Sequence, residues 1–87
     1  MKIAFQPDAW DDYEYWRTTD KVMFTRLRRA IADIVRDPFA GSGSPKPLRY
    51  AENLWARRLD LRHRILYRVT DDTIEFLSMR GHYWYDR

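Results

Sequence analysis

The sequence contains no cysteine, which excludes disulfide bonds and thiolate metal sites. Only two histidines occur, His63 and His82, and no acidic pair stands beside them at the spacing of metal ligands. The segment GSGS lacks the lysine and the strand-to-helix context of a phosphate-binding loop. No apolar run approaches the length of a membrane span, and MKIAF does not resemble a signal peptide. These absences favour a cytoplasmic protein with no membrane segment, no cofactor and no metal.

Aromatic residues, by contrast, make up 16% of the chain. Their large rings fill a small core with few residues, which suits a chain of 87 residues. A chain of this length normally forms one unit, so we expect a single domain over residues 1–87.

Charge is divided unevenly along the chain, although the net charge is only +3. The acidic residues of the first twenty positions are Asp8, Asp11, Asp12, Glu14 and Asp20, and we interpret the first four as an exposed start of a helix. Residues 49–68 carry Arg49, Arg57, Arg58, Arg62, Arg64 and Arg68. This second region favours a polyanionic partner, and the alternative is that the arginines solvate one face of a strand.

The spacing of apolar residues predicts a strand in KIAF followed by two helices. Pro7 suits the first turn of the first helix, whose apolar stripe is Ala9 or Trp10, Tyr13, Trp16 and Tyr15. Thr19 or Asp20 caps the second helix, and Pro38 ends it. Its apolar stripe is Met23, Leu27, Ala30, Ile31, Ile34 and Val35.

Alternating residues after the loop PFAGSGSPKP predict strands over residues 54–59, 64–69 and 73–80. Within each strand the residues are expected to divide between two faces. The first strand sets Trp55, Arg57 and Leu59 against Ala56 and Arg58, the second sets Ile65, Tyr67 and Val69 against Arg64, Leu66 and Arg68, and the third sets Ile74, Phe76 and Ser78 against Glu75, Leu77 and Met79. The order β-α-α-β-β-β predicts an α+β domain with a helix hairpin packed on an antiparallel sheet.

If the last three strands are neighbours, Arg58, Arg64, Arg80, His82 and Tyr83 can converge on one face or rim. Guanidinium groups bind phosphate, an imidazole delivers a proton near neutral pH, and a tyrosine stacks on a base. These groups suit RNA cleavage by attack of a 2′-hydroxyl on the adjacent phosphorus, which requires no metal. Without further information, a surface histidine and solvated arginines explain the same residues.

Several motifs together resemble the YoeB/Txe toxins of the RelE superfamily, from the first strand to Tyr83. They are AWDDYEYW, TDK, DPFAGSGSPKPL, WARR, HRILYRVTDD and the near-terminal HY. The resemblance implies a RelE-like microbial RNase fold and a type II toxin-antitoxin system. It implies a ribosome-dependent mRNA endoribonuclease that cleaves in the ribosomal A site. The implied partners are a YefM-type antitoxin, the ribosome and mRNA, and in many members a second copy of the toxin.

The resemblance also assigns roles to individual residues. Arg64 matches the catalytic arginine, His82 the general acid and Tyr83 the tyrosine that positions RNA. Arg58 matches a phosphate-contacting arginine, and Arg49 stands where a lysine often contacts RNA. Arg80 would add positive charge.

The sequence departs from the family at Lys46, where the pattern Pro-Glu-Pro-Leu has the glutamate regarded as the general base. A lysine, with an ordinary pKa of about 10.4, is protonated at neutral pH. Three accounts stand: cleavage is weakened or lost, Glu52 supplies the carboxylate, or Lys46 stabilises the charged transition state. A second departure is the extension Trp84–Arg87, in which Tyr85 could share the role of Tyr83.

Two alternative functions follow from the same resemblance. The first is a toxin-fold module that binds antitoxin or ribosome without cleaving RNA, because Lys46 replaces the base. The second is a ParE-like gyrase inhibitor, which shares the superfamily fold but which the His-Tyr pair argues against.

Overall fold

The computed structural model describes residues 1–49 and 51–81. The expectations for His82, Tyr83, Tyr85 and the Trp84–Arg87 extension therefore lie outside the described residues. Neither helix in the described part is long and apolar enough to cross a membrane.

The α+β order predicted from the sequence is confirmed, with one short strand added before the last three. The elements are β1 (Lys2–Phe5), α1 (Pro7–Thr19), α2 (Lys21–Arg36), β2 (Lys46–Pro47), β3 (Leu54–Arg58), β4 (Arg64–Val69) and β5 (Thr73–Ser78). Strand β2 contains a proline and only two residues, so alternation could not identify it.

The two helices are separated by Asp20 alone. Its backbone N–H donates to the carbonyl of Trp16, and its Oδ1 accepts from the Met23 N–H at 3.0 Å. The residue therefore closes one helix and caps the next, as its sequence position predicted. In α1 the buried stripe uses Ala9 and Trp16, whereas Trp10 is 52% exposed.

The five strands form one sheet in the order β1-β5-β4-β3-β2. Strands β2 to β5 pair antiparallel, but β1 pairs with β5 in parallel. The sheet is therefore mixed rather than wholly antiparallel. Alternation within a strand does not specify its partner, and β1 is joined to β5 by both helices and three other strands, a connection long enough for parallel pairing.

The sheet separates a helix-covered core from an open face. The core face carries Trp55, Leu59, Ile65, Tyr67, Val69, Ile74 and Phe76, which pack with the helices' Ala9, Trp16, Leu27 and Ile34. The open face carries a smaller cluster of Leu54, Ala56 and Leu66, with Leu48 and Leu77 against it.

The prediction that Met79 faces the opposite side of the strand from Ile74 and Phe76 is wrong. Leu66 pairs with Ser78, but Tyr67 pairs with Phe76, so Leu77 is an extra residue at a β-bulge. A bulge changes the alternation by one residue, and Met79 packs fully buried in the helix-covered core.

Candidate functional site

Arg58 and Arg64 lie directly opposite each other at the ends of β3 and β4. Both belong to the open face, because they stand two residues from Ala56 and Leu66 respectively. The β-carbons of such opposed residues are about 5 Å apart, and like charges in this position repel. Within residues 1–49 and 51–81, neither arginine forms an ion pair. The pair is therefore a concentrated positive charge suited to an anion.

The turn between β3 and β4 holds the Arg64 side chain. Its Nη1 donates to the carbonyls of Asp60 at 3.0 Å and His63 at 3.3 Å. Asp60 Oδ1 in turn accepts from the N–H groups of Arg62 and His63. One edge of the guanidinium is used for anchoring, and Arg64 remains only half-buried.

Lys46 lies on the same face as the two arginines. It pairs with Ala56 across β2 and β3, and residues opposed in an antiparallel ladder share a face. Leu48, two residues on, packs against the open-face cluster as this assignment requires. Lys46 is exposed and stands one strand over from Arg58, two residues along.

Glu52 is placed poorly for the role of substitute base. It lies two residues before Leu54, which pairs with Arg68 at one end of β3, whereas Arg58 lies at the other end. Four strand residues span about 13 Å, so Glu52 lies well away from the arginine pair. Arg49 is also exposed and follows β2 towards that far end.

Arg80 does not join the arginine pair. Its Nε is 3.7 Å from Asp12 Oδ1, and its guanidinium lies 4.1 Å from the centre of the Tyr15 ring. Both partners belong to α1, on the other side of the sheet, and the ring contact is a cation–π interaction. The structure thus gives the Arg80 charge a partner within the fold.

Asp12 is buried, contrary to the prediction of an exposed acidic helix start. Its Oδ2 accepts from the Met79 N–H at 2.8 Å. The helical spacing to Ala9 and Trp16 places it on the core face, and this spacing was the available signal. A charged side chain ordinarily indicates exposure, but the Met79 N–H and Arg80 compensate for the burial of this carboxylate.

Arg57 is a buried side chain that holds a loop, a role that the sequence pattern does not indicate. Alternation places it on the core face, and it is 1% exposed there. Its Nη2 donates to the carbonyls of Asp37 and Ala40, both at 2.8 Å, and so holds the loop before β2. Nearby, burial raises the pKa of the Tyr67 hydroxyl, and the positive charge of Arg57 partly offsets this increase.

The chain after β5 is also held by side chains. Trp16 Nε1 donates to the Met79 carbonyl at 3.0 Å, and His63 Nδ1 accepts from the Gly81 N–H at 2.9 Å. The Arg64 N–H donates to the Gly81 carbonyl at 2.8 Å. The residue before His82 is therefore bonded directly to the backbone of Arg64.

The open face also contains a groove of about 620 Å³. Its lining includes Leu54, Leu66, Leu77 and Arg68, with Gln6 and Pro7 at the start of α1. The groove is mainly apolar and lies towards the end of β3 and β4 where Leu54 pairs with Arg68. One face thus offers a cationic end for an anion and an apolar end for side chains.

Comparison with known proteins identifies the family. The family of YoeB-like toxins of bacterial type II toxin-antitoxin systems matches residues 5–83. The chain belongs to the YoeB-like toxin family. A toxin YoeB of Streptomyces coelicolor is 43% identical over 84 residues, covering 95% of this chain and 100% of the relative.

Solved structures agree with this assignment. The chain resembles a YoeB/ParE toxin from Agrobacterium tumefaciens with a TM-score of 0.88 and 38% identity, covering 95% of this chain and 100% of that one. It also resembles a YoeB dimer from Staphylococcus aureus, with a TM-score of 0.86 and 32% identity. A heterotetrameric YoeB-YefM complex from the same organism gives 0.82 and 31%. Both comparisons cover 95% of this chain and 98% of the other.

Proposed function

We propose that this type II toxin is a ribosome-dependent endoribonuclease that cleaves mRNA in the ribosomal A site. The observation that carries the proposal is the opposed pair Arg58 and Arg64 on the open face. The pair makes no ion pair with any described carboxylate, and the hydrogen bond from Arg64 to Gly81 brings the chain before His82 to the same strand end.

The proposed reaction is an intramolecular transfer on RNA. The 2′-hydroxyl oxygen attacks the adjacent phosphorus, a new P–O2′ bond forms and the P–O5′ bond breaks. The products are a 2′,3′-cyclic phosphate and a free 5′-hydroxyl. Arg64 and Arg58 stabilise the negative charge that develops on the phosphate oxygens, and His82 donates the proton to the departing 5′ oxygen. Tyr83, with Tyr85 two residues further along the sequence, stacks on a base.

Lys46 makes cleavage slower than a carboxylate at the same position would. An ammonium group has no lone pair to accept the proton of the 2′-hydroxyl, so this proton passes to solvent. Its charge still contributes to stabilising the phosphate on the face shared with Arg58. We therefore expect a working enzyme with reduced activity, and a module that binds without cleaving is the second candidate.

The proposal is tested with purified protein, translating ribosomes and a defined mRNA whose cleavage is mapped by primer extension. We expect cuts in the A-site codon and none in the same RNA without ribosomes. Arg64→Ala and His82→Ala should each lower the cleavage rate at least 100-fold. Arg36→Ala is the control, because Arg36 is exposed on α2 and pairs with Asp33. Normal cleavage by both site variants would contradict the assigned roles.

Lys46→Glu separates the two candidates. If the missing base limits the rate, a carboxylate beside Arg58 should raise cleavage by at least about 10-fold. A fall in cleavage would instead mean that the lysine charge is needed in the transition state. Cleavage absent from both proteins, with ribosome binding retained, would favour the binding module.

We propose a YefM-type antitoxin as the protein partner, supported by the complex of the Staphylococcus aureus relative. An acidic and apolar antitoxin tail would match the open face, which carries Arg58 and Arg64 at one end of the strands and the groove lined by Leu54, Leu66 and Leu77 towards the other. Leu66→Glu should weaken antitoxin binding at least 10-fold, measured by calorimetry, whereas Val22→Glu on exposed α2 should not. The free toxin is expected to be a homodimer, which sedimentation tests.

A further inference from the structure

The chain leaves the sheet through a short segment, Met79–Gly81, that we call the exit segment. Strand β5 ends at Ser78, so these three residues lie outside the regular ladder. Met79 is nevertheless bonded at both its N–H and its carbonyl by the side chains of Asp12 and Trp16. The peptide groups on both sides of Gly81 are bonded as well, by His63 and by the Arg64 backbone.

His63 is unusual among these contacts because its side chain belongs to the turn that also holds the Arg64 guanidinium. Its Nδ1 accepts from the Gly81 N–H, and its carbonyl accepts from Arg64 Nη1. Its ring packs edge-on against Trp16 with the ring centres 4.8 Å apart. One half-buried residue thus contacts the chain before His82 and the side chain of Arg64.

We propose that His63 is a positioning residue, which fixes the position of the Gly81 backbone, and so of the chain that leads to His82, relative to Arg64. The inference rests on the proposed ribonuclease function and assigns a role to a histidine outside the reacting groups. Because Gly81 is covalently next to His82, the hydrogen bond at Nδ1 acts on the direction of the backbone one residue before the general acid.

A purely packing role would not require a nitrogen at this position. The contact with Trp16 needs only a flat ring, which phenylalanine also supplies. The contact with Gly81 needs an acceptor, which phenylalanine lacks. Gly81 has a positive φ of 85°, which glycine adopts without strain. Because glycine also has many other conformations available, the hydrogen bonds at its N–H and carbonyl are what select this path.

Two substitutions separate the ring from the acceptor. His63→Phe keeps a ring against Trp16 and removes the acceptor. His63→Asn removes the ring but places a carbonyl oxygen near the former Nδ1. Single-turnover cleavage of ribosome-bound mRNA, ribosome affinity and the exchange rate of the Gly81 amide proton are measured for both variants and for the unaltered protein.

We expect His63→Phe to lower the cleavage rate about 10- to 100-fold, as small displacements of reacting groups do. Ribosome affinity should stay within about 2-fold, because His63 is not assigned to RNA binding. His63→Asn should recover most of the rate. The Gly81 amide should exchange at least 10-fold faster in His63→Phe and near the original rate in His63→Asn.

Three results would overturn the inference. One is unchanged cleavage in His63→Phe, and another is equal loss of cleavage in both variants, which would mean that restoring an acceptor for the Gly81 N–H does not restore the rate. The third is unchanged Gly81 exchange in His63→Phe, a result that does not depend on catalysis. Absence of cleavage by the unaltered protein would instead count against the proposed function, and Gly81 exchange would still report on the hydrogen bond.

Discussion

Two irregular segments lead to the candidate site, and they are held in different ways. The exit segment Met79–Gly81 is bonded at both ends by Asp12, Trp16 and His63 side chains and by the Arg64 backbone. The loop of residues 37–45, which leads to Lys46, is held by the buried side chains of Arg57 and Tyr67 and by the bond from the Arg58 N–H to the Gly43 carbonyl.

The two anchors also differ in how well they are satisfied. Asp12 is surrounded by a backbone donor and a guanidinium, whereas Arg57 Nε and Nη1 are buried without a hydrogen-bond partner among the described residues. Unpaired buried donors carry a desolvation cost. The comparison indicates that the exit segment, which leads to His82, has a fixed geometry. The loop before Lys46 is held by a buried Arg57 whose unpaired donors lower the free energy of unfolding.

The largest effect should come from the exit segment. Asp12→Ala leaves the Met79 N–H without its acceptor and removes the partner of Arg80, so we expect the free energy of unfolding to fall by about 3 kcal/mol. Urea denaturation followed by circular dichroism measures this. Asp11→Ala, exposed on the same helical turn, should change stability by less than about 0.5 kcal/mol. Equal effects of the two substitutions would contradict the role given to Asp12.

The next effect should come from the loop backbone. A β-carbon on Gly43 would lie 2.6 Å from the Arg58 carbonyl oxygen and 2.7 Å from Arg57 Cγ, at a φ of +83°. We expect Gly43→Ala to cost about 2 kcal/mol by urea denaturation. Gly41→Ala is the matched control: its φ is +110°, but the nearest atom is 3.6 Å away, so about 1 kcal/mol is expected.

Tyr67→Phe tests a second contact to the same loop. The Tyr67 hydroxyl donates to the Pro38 carbonyl at 2.5 Å, and its loss should cost about 1 kcal/mol at pH 7. Burial raises the pKa of Tyr67 above its ordinary value of 10.0, so the unfolded chain loses this proton first. The stability difference should therefore narrow as pH rises above 10, measured by urea titrations at several pH values. A constant difference would argue against a raised pKa.

The smallest change in stability is expected for Arg57→Met. Removing a buried charge with two unpaired nitrogens relieves a desolvation cost that offsets the two lost hydrogen bonds, so the net change should be within about 1 kcal/mol. The loop should nevertheless open more often, and chymotrypsin should cleave after the exposed Phe39 about 10-fold faster. Arg36→Met is the control. Unchanged proteolysis in Arg57→Met would mean that the loop does not depend on its guanidinium anchor.

The success of the sequence predictions follows from what each pattern reports. Helical spacing located α1 and α2, and alternation located β3, β4 and β5, because these periodicities are local. Arg58 and Arg64 share one face, as expected if the last three strands are neighbours. Alternation failed at Met79, since a bulge in the pairing of β5 with β4 is decided by a neighbouring strand.

The roles of charged residues were harder to predict. Asp12 and Arg57 occupy core positions in the helical and strand patterns, although charged side chains are ordinarily exposed. A buried charge is stable only where distant atoms compensate it, here Met79 for Asp12 and the loop carbonyls for Arg57. Met79 is 67 residues from Asp12 along the chain, and Asp37 and Ala40 are 20 and 17 residues from Arg57.

The sequence by itself determined the order of helices and strands, the arginine-rich open face and the likeness to YoeB toxins. The tertiary structure alone decided that β1 joins β5 in parallel, that Arg80 turns to α1, and that His63 bonds to Gly81. The physical reason is the range of the interactions. The helical period and the alternation along a strand relate residues that are a few positions apart. The pairing of strands and the compensation of buried polar groups depend on atoms that only folding brings together.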